Sequence, residues 1–268
     1  MEAISIADRP LPRPTAPIGL RPNATLVDRE DVTPSIIRLR VRPDGGVSAF
    51  EPGQYLALGV EEGGRTLQRP YSTASARGVI DTLEFLVKLV PGGALTPLLW
   101  AQGPGSRMSL GRPRGRFVPE HGEPRRPLLI ATGTGIAPLM SMLESRLRER
   151  RDGSPRQRPI VVHGVAHASE LAYHDRLRLL ADRRRITYVP AVSRPAEAAN
   201  VGWAGMTGRV DGLIAGVLEH LGVDRGAAVA YLCGNPAMVD AVSGVLTGWG
   251  MPPGAVHAEA YWARPAAG

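Results

Sequence analysis

The sequence predicts two domains of different class: an N-terminal antiparallel β-barrel over residues 21–120, followed by an α/β domain with a mostly parallel sheet over residues 121–268. Three observations predict this arrangement. Short strand-like runs divided by Gly and Pro fill the first part, strand and helix patterns alternate in the second, and the Pro-rich, charged stretch 119–127 separates them. With 268 residues the chain is long enough for two ordinary domains.

Residues 1–20, ahead of the barrel, are predicted to form a flexible extension. Prolines at positions 10, 12, 14 and 17 leave few backbone donors for regular structure. The segment has the features of neither a signal peptide nor a transit sequence, and no apolar run in the chain approaches a bilayer span. We therefore expect a cytoplasmic protein with no membrane partner, and we expect a monomer.

The barrel half contains β-like runs separated by glycine turns. Strands are predicted at residues 35–41, 55–60, 83–89 and 107–110, with turns at 44–46, 62–64 and 91–93. A single helix is predicted at 95–101. Strands of this size and spacing are typical of a small antiparallel barrel.

The second half alternates between apolar strands and amphipathic helices. Strands are predicted at residues 128–131, 160–165, 186–192, 228–232 and 255–260. Helices are predicted from the apolar spacing of residues 136–147 and at 170–181, 213–221 and 237–249. This alternation predicts a mostly parallel sheet covered on both faces.

Residues 69–75, with the sequence R-P-Y-S-T-A-S, combine a cation, an aromatic ring and hydroxyl groups. In an extended segment Arg69, Tyr71, Thr73 and Ser75 share one face and Ser72 lies on the other. A guanidinium can bind a phosphate in a fork, a Tyr ring can lie on a flat heterocycle, and hydroxyls can bond ring or ribose atoms. The motif therefore suits a dinucleotide with a planar ring, although an edge strand with a solvated Arg explains these residues equally well.

A glycine turn, T-G-T-G-I-A-P at residues 132–138, joins the first strand of the second half to its helix. Glycines allow a close approach there, and free amides with the helix dipole favour an anion. The alternative is a tight connection without a ligand.

A second turn of this kind, L-C-G-N-P at residues 232–236, also lies between a strand and a helix. Ligands of open α/β sheets bind outside the carboxyl ends of strands, where this motif is predicted to lie. The alternative is a buried, inert thiol at Cys233.

Taken in order, R-P-Y-S, G-T-G-I-A-P and C-G-N-P, followed by Tyr261 and Trp262, resemble the motifs of the ferredoxin-NADP reductase family, most closely its bacterial flavodoxin/ferredoxin reductases. Only about the first twenty residues and the tail after Trp262 fall outside the resemblance. It implies an FAD-binding barrel joined to an NADP-binding α/β domain, with a C-terminal segment that returns to the flavin.

The resemblance also implies roles for individual residues. Ser72, at the flavin N5 region, and Cys233, beside the nicotinamide, are the candidate catalytic residues. FAD is expected to contact Arg69, Tyr71, Ser72, Thr73, Ser75, Phe85, Leu86, Val87, Gly93, Leu95, Thr96, Tyr261 and Trp262. The nicotinamide dinucleotide is expected to contact Thr134, Gly135, Pro138, Ser193, Arg194, Arg209 and Gly234. Two alternatives stay open, namely Thr96 as a helix N-cap and the terminal aromatic pair as part of a core.

The choice between NADP(H) and NAD depends on the residues near the adenosine 2′-phosphate. The resemblance places Arg194 and Arg209 at family 2′-phosphate positions, and paired guanidinium groups favour the extra phosphate. Where some members carry a further Arg, this chain has Ala166 and His167. NADP(H) is therefore the expected cofactor, and the departure at residues 166 and 167 bears on how strongly it is preferred over NAD(H).

The expected function is that of a ferredoxin-NADP(+) reductase, which exchanges a hydride with NADP(H) through FAD and single electrons with ferredoxin or flavodoxin. A related NAD(P)H-dependent reductase that serves an oxygenase, free flavin or another acceptor is the alternative. The net charge of +7 favours an acidic carrier.

Two other function classes are not expected. A nucleic-acid partner is not expected, because aromatic residues are only 5% of the chain and do not interleave with its arginine clusters. The histidines at 163, 167 and 174 lack the spacing of a zinc site, and a lone cysteine cannot hold an iron-sulfur cluster, so no metal is expected.

Overall fold

The computed structural model describes residues 21–149, 158–252 and 254–261 of the chain. The predicted extension at residues 1–20 and the predicted cofactor contact Trp262 lie outside these ranges. Two six-stranded sheets are present, an antiparallel one followed by a parallel one. The predicted fold class is confirmed, while the predicted domain limits at residues 20/21 and 120/121 stay predictions.

The antiparallel sheet closes on itself as a barrel. Its strands are β1 (Ala24–Thr33), β2 (Ile36–Pro43), β3 (Tyr55–Glu62), β4 (Arg65–Ser72), β5 (Leu83–Lys88) and β6 (Arg107–Leu110), and a short helix, α1 (Thr96–Trp100), precedes β6. The strand order is β4-β3-β6-β1-β2-β5. A bridge between Thr73 and Phe85 joins the two outer strands, and the Ala74 amide donates to the Glu84 carbonyl over 2.8 Å. Fully buried Leu26, Leu39, Leu58, Phe85, Leu99 and Met108 fill the interior.

Strand β1 was missing from the sequence prediction because its second half is rich in charge. Asp28 and Glu30 lie opposite Arg40 and Arg38 of β2, and both pairs form ion pairs on the outer face. The apolar signal is confined to the first few residues of the strand. Cross-strand ion pairs stabilise this face without giving the chain an apolar pattern.

The parallel sheet is built from β7 (Arg126–Thr132), β8 (Ile160–Val165), β9 (Thr187–Val192), β10 (Met206–Thr207), β11 (Ala228–Gly234) and β12 (Val256–Ala260). Its order is β10-β9-β8-β7-β11-β12. Helices α2 (Ile136–Glu149) and α3 (His174–Asp182) pack on one face, and α4 (Val210–His220) and α5 (Pro236–Gly248) on the other. The order reverses between β7 and β11, and such a switch point opens a crevice at the carboxyl ends of the strands.

One predicted helix is corrected by the structure. The stretch 170–181 is not a single helix, because a 3-10 turn spans Ala168–Glu170 and α3 begins only at His174. Tyr173 between them has φ +64°, outside the helical region. The Glu170 carboxylate accepts hydrogen bonds from the amides of Ala166 and His167, which satisfies the turn instead of extending the helix.

The barrel and the parallel sheet meet along α2 and the start of α3. Ser141 Oγ donates to the Ser75 carbonyl over 2.6 Å, and the Arg77 amide donates to Ser145 Oγ over 2.8 Å. Tyr173 Oη donates to the Glu84 carboxylate over 2.7 Å. These contacts hold β5 and the segment after β4 against α2 and the start of α3. Within the described ranges, no helix has the length and apolar character needed to cross a membrane.

Candidate functional site

The side chains of Ser72, Glu259, Cys233 and Tyr261 meet where β4 ends. Ser72 Oγ donates to Glu259 Oε1 over 3.3 Å, and Glu259 is the neighbour of Cys233 in the parallel register of β11 and β12. Tyr261 follows β12, and its amide donates to the Gly234 carbonyl over 2.8 Å. The structure thus brings together Ser72, Cys233, Gly234 and Tyr261, which the sequence named separately.

Glu259 was missed by the sequence reasoning. The signal was a single carboxylate in the short last strand, V-H-A-E-A, directly ahead of the aromatic residues. Its partner Cys233 is recognisable from sequence, but their pairing is a matter of register between β11 and β12. Sequence spacing alone does not supply that register.

Burial controls the charge of this cluster. It raises the pKa of Glu259 to about 7, and the hydrogen bond from Ser72 offsets part of the rise. Burial, with the nearby Glu259 carboxylate, also raises the pKa of the Cys233 thiol well above its usual range. At neutral pH the thiol is therefore protonated and a poor nucleophile, whereas the carboxyl can both hold and release a proton.

The two glycine turns of the parallel sheet touch each other backbone to backbone. A Cβ on Gly135 would lie 2.2 Å from the carbonyl oxygen of Cys233, and one on Gly234 would lie 2.3 Å from Thr132 Oγ1. Gly234 also has φ +140°, which side chains rarely adopt. The Asn235 amide donates to Thr132 Oγ1 over 3.0 Å. The predicted contacts Thr134, Gly135 and Gly234 therefore belong to one continuous surface, and Pro138 is buried behind it in the first turn of α2.

His163 supports this surface from inside the sheet, a role that the sequence reasoning did not assign to it. The side chain is fully buried in β8, and its Nε2 donates to the Gly133 carbonyl over 3.0 Å. Burial lowers the pKa of His163 to about 4, so the imidazole is neutral at physiological pH. Among the described residues, no group of three or more His, Cys, Asp or Glu side chains is placed to hold a metal ion.

The R-P-Y-S strand presents only part of its predicted face. Arg69 is exposed and donates to its neighbour, the Gln68 carbonyl, over 2.7 Å, and Tyr71 packs against the barrel core. The strand ends at Ser72, so the predicted alternation does not extend to Thr73 and Ser75. The Thr73 hydroxyl donates to the Glu84 carbonyl inside the barrel wall, and Ser75 Oγ accepts from the Glu84 amide. Neither hydroxyl lies on a common face with Arg69.

The turn before α1 offers backbone amides rather than a hydroxyl. Thr96 Oγ1 donates to the Val90 carbonyl and accepts from the Val90 amide, so its proton is already bonded. Leu95, not Thr96, is the N-cap residue, and no described side chain caps this helix. Gly93 is close to Val90, with 3.0 Å between an added Cβ and its carbonyl oxygen. Uncapped amides here and the exposed guanidinium of Arg69, which forms no salt bridge with a described residue, fit a pyrophosphate.

Strand β5 supports this region from the barrel side. Phe85 and Val87 point into the barrel core, whereas Leu86 joins the apolar cluster shared with the parallel sheet. The side chains of these three predicted contacts are thus buried, which leaves only their backbone groups for a ligand.

The residues predicted for the adenosine phosphate lie together at the far edge of the parallel sheet. The Gly208 amide donates to the Val192 carbonyl over 2.8 Å, which sets the ends of β9 and β10 side by side. Ser193 and Arg194 follow one strand, and Arg209 follows the other. The Arg194 side chain is 58% exposed and that of Arg209 is 64% exposed. Both guanidinium groups can therefore reach a ligand from the solvent side.

The chain matches two known domain families and is similar to known reductases. Residues 23–118 match the oxidoreductase FAD-binding domain family, and residues 129–244 match the oxidoreductase NAD-binding domain family. The chain is 31% identical to ferredoxin--NADP reductase B of Sorangium cellulosum, over 89% of this chain and 96% of that relative. It is 30% identical to the reductase component of propane 2-monooxygenase from Mycolicibacterium goodii, over 87% of this chain and 65% of that relative.

A solved structure agrees with both matches. A ferredoxin NADP+ reductase from Neisseria gonorrhoeae with bound FAD and NADP superposes with a TM-score of 0.75 at 27% identity, over 89% of this chain and 97% of that chain. The two-sheet fold is thus shared with that protein.

Substitution of Gly135 by Ala tests the close approach of the two turns. The added Cβ would meet a backbone carbonyl that cannot rotate away, so we expect the free energy of unfolding to fall by about 1–3 kcal/mol. Gly216→Ala in α4 is the matched control, because nothing lies within 4 Å of a Cβ there, and it should stabilise the chain by about 0.5–1 kcal/mol. Similar effects of both changes in urea unfolding would contradict the packing argument.

Glu259→Gln tests the raised pKa. A carboxyl whose pKa rises from 4.5 to about 7 on folding contributes stability that is complete below pH 4.5 and is lost as the pH rises through about 7. The Gln variant lacks this titration. The free energy of unfolding of the variant minus that of the native chain should therefore rise by about 3 kcal/mol from pH 4.5 to pH 8. Urea unfolding at several pH values measures the difference. Glu219→Gln on the exposed side of α4 controls for the lost charge, and a pH-independent difference for Glu259→Gln would refute the raised pKa.

Proposed function

The chain belongs to the ferredoxin-NADP reductase family, and we propose that within it the protein is an FAD-dependent enzyme that exchanges a hydride with NADP(H) and single electrons with a ferredoxin or flavodoxin. Family membership makes it a flavoprotein oxidoreductase with an FAD-binding and a nicotinamide dinucleotide-binding domain. The substrate, the carrier and the roles of individual residues are the proposed part.

The contact between Ser72 and Glu259 is the observation that carries the proposal. It joins the end of the R-P-Y-S strand to the ends of β11 and β12, beside Cys233 and the two glycine turns. A hydride passes only between reacting atoms that are held in contact. The place where the flavin-binding and nicotinamide-binding motifs meet is therefore the place where this chemistry is supported.

When bound, FAD supplies the hydride and single-electron chemistry. The residues of the chain bind and orient it: Arg69 at the pyrophosphate, Tyr71 against the ring and Ser72 at the N5 region. Cys233, buried and neutral, borders the nicotinamide and keeps water out. Glu259 holds a proton beside the Ser72 hydroxyl, and its pKa near 7 suits reversible proton exchange at neutral pH.

The edge formed by Ser193, Arg194 and Arg209 supports NADP(H) as the nucleotide. Two exposed guanidinium groups on adjacent strand ends can bind a 2′-phosphate with forked hydrogen bonds. Thr134, Gly135, Pro138 and Gly234 form or support the surface on which the rest of the dinucleotide would lie.

Positive charge near the end of β4 supports an acidic electron carrier. Arg112, Arg114 and Arg116 are exposed, and Arg114 pairs with Tyr55, which in turn pairs with Ser72. The chain as a whole has a net charge of +7. Such a surface attracts an acidic ferredoxin or flavodoxin and raises its association rate.

A reductase that serves an oxygenase or another acceptor is the second candidate. It is favoured by the similarity to the reductase component of propane 2-monooxygenase, which is nearly as high as that to the ferredoxin reductase. The two candidates share the flavin and nicotinamide sites and differ only in the acceptor.

Rapid mixing of the purified holoenzyme with NADPH or NADH, and then with each acceptor, tests the proposal. We expect a yellow protein with bound FAD, flavin bleaching by NADPH, and transfer to ferredoxin or flavodoxin that slows as salt is added. A colourless chain that FAD cannot reconstitute would exclude the proposed enzyme. Transfer to free flavin or an oxygenase, but to neither carrier protein, would favour the second candidate.

Arg69→Ala tests the flavin site separately. Loss of a charged hydrogen-bond donor to the pyrophosphate costs about 1.5–3 kcal/mol, so the dissociation constant of FAD should rise about 10- to 100-fold. FAD released from diluted holoenzyme, followed by its fluorescence, gives this constant. Arg65→Ala, at an exposed position of the same strand, is the control, and an equal loss in both variants would contradict the assignment of Arg69.

A further inference from the structure

The two arginines proposed to bind the 2′-phosphate are both engaged by carboxylates of the chain. Arg194 Nη1 lies 3.3 Å from Glu197 Oε1, and Arg209 Nε lies 3.2 Å from Asp211 Oδ1. The formal charges of these two guanidinium groups and two carboxylates sum to zero. A phosphate that arrives here does not meet the doubly positive site that the sequence suggested.

Glu197 is held at this edge from a second side. His167 Nε2 donates to Glu197 Oε2 over 2.5 Å, so the carboxylate bridges His167 and Arg194 with its two oxygens. The hydrogen bond from His167 lowers the pKa of Glu197, and Arg194 adds to the effect. The carboxylate is therefore ionised at neutral pH. The Glu197 carboxylate is also hydrogen-bonded to His167, and this second bond opposes movement of the carboxylate away from Arg194 when a ligand binds.

The loop that carries Glu197 is fixed by the buried side chain of Asn200. Its Nδ2 donates to the carbonyls of Arg194 and Ala166 over 2.8 and 3.0 Å, and its Oδ1 accepts from the Ala168 amide over 2.8 Å. The Glu197 amide donates to the Arg194 carbonyl over 3.1 Å. One buried amide thus joins the loop after β8, which carries His167, to the loop after β9, which carries Arg194 and Glu197.

We propose that Glu197 is a specificity-determining residue that weakens the preference for NADPH over NADH. Its charge opposes a 2′-phosphate at the Arg194 guanidinium, whereas a ribose 2′-hydroxyl is not repelled and can donate a hydrogen bond to the carboxylate. The inference rests on the proposed 2′-phosphate role of Arg194. It identifies a residue of this chain that limits the effect of that arginine.

Glu197→Gln tests the proposal with ligands that need no flavin chemistry. We expect the holoenzyme variant to bind 2′,5′-ADP about three- to tenfold more tightly than the native holoenzyme, the range set by removing one exposed charge near a phosphate. Binding of 5′-AMP, which lacks the 2′-phosphate, should change less than about twofold. Calorimetry gives both constants, and the ratio of kcat/KM for NADPH to that for NADH should rise by the same factor.

Glu219→Gln, the same charge change on the exposed side of α4, should leave both ligands and the ratio unaltered. Unchanged or weaker binding of 2′,5′-ADP by Glu197→Gln overturns the inference, as does an equal gain in Glu219→Gln. Arg194→Ala separates this failure from that of the proposed function. If Arg194→Ala weakens 2′,5′-ADP binding while Glu197→Gln has no effect, the phosphate site stands and only the proposed role of Glu197 is refuted. If Arg194→Ala has no effect on 2′,5′-ADP binding, the phosphate site itself is refuted.

Discussion

The close approach of two turns without side chains, at Gly135 and Gly234, is the constraint on which the rest of the site depends. Any Cβ at either position would overlap the backbone or the hydroxyl of the opposite turn. The contact fixes the end of β11 relative to α2, and β12 then pairs with β11 in the register that sets Glu259 beside Cys233. Since α2 also binds the barrel through Ser141, the position of Ser72 follows from the same packing.

Burial raises the pKa of Glu259 and the hydrogen bond from Ser72 lowers it, and the effect of burial is the larger of the two. A carboxylate removed from water loses solvation that one hydroxyl donor at 3.3 Å does not replace, so its pKa rises to about 7 instead of falling. The same burial keeps Cys233 protonated. In this cluster of a thiol, a phenol and a carboxyl, only the carboxyl therefore changes its charge near physiological pH. Such a cluster excludes water and exchanges a proton without placing a fixed charge beside the proposed hydride path.

The sequence predicted the parts of the fold that local pattern encodes and missed those set by register and tertiary contact. Apolar runs located five of the six described parallel strands, and both glycine turns were recognisable because close backbone approach requires glycine. Strand β10, only two residues long, was not predicted. Strand β1 was not predicted because residues that form cross-strand ion pairs stand where an apolar pattern would reveal a strand. The inward position of Thr73 and the start of α3 at His174 depend on Glu84 and Tyr173, neither of which a local pattern can reveal. Glu259 became a candidate only once the β11–β12 register placed it against Ser72.

Net charge and local charge lead to different conclusions about partners in this chain. A net charge of +7 acts over distances up to about a Debye length, so it bears on the encounter with an acidic protein. The net charge says little about the affinity for a phosphate bound at van der Waals distance, because the nearest charges determine that affinity. At the edge of the parallel sheet those charges include Glu197 and Asp211, which offset the two arginines. An arginine-rich composition therefore favours an anionic carrier without implying strong selection for the 2′-phosphate, because the two depend on charge at different distances.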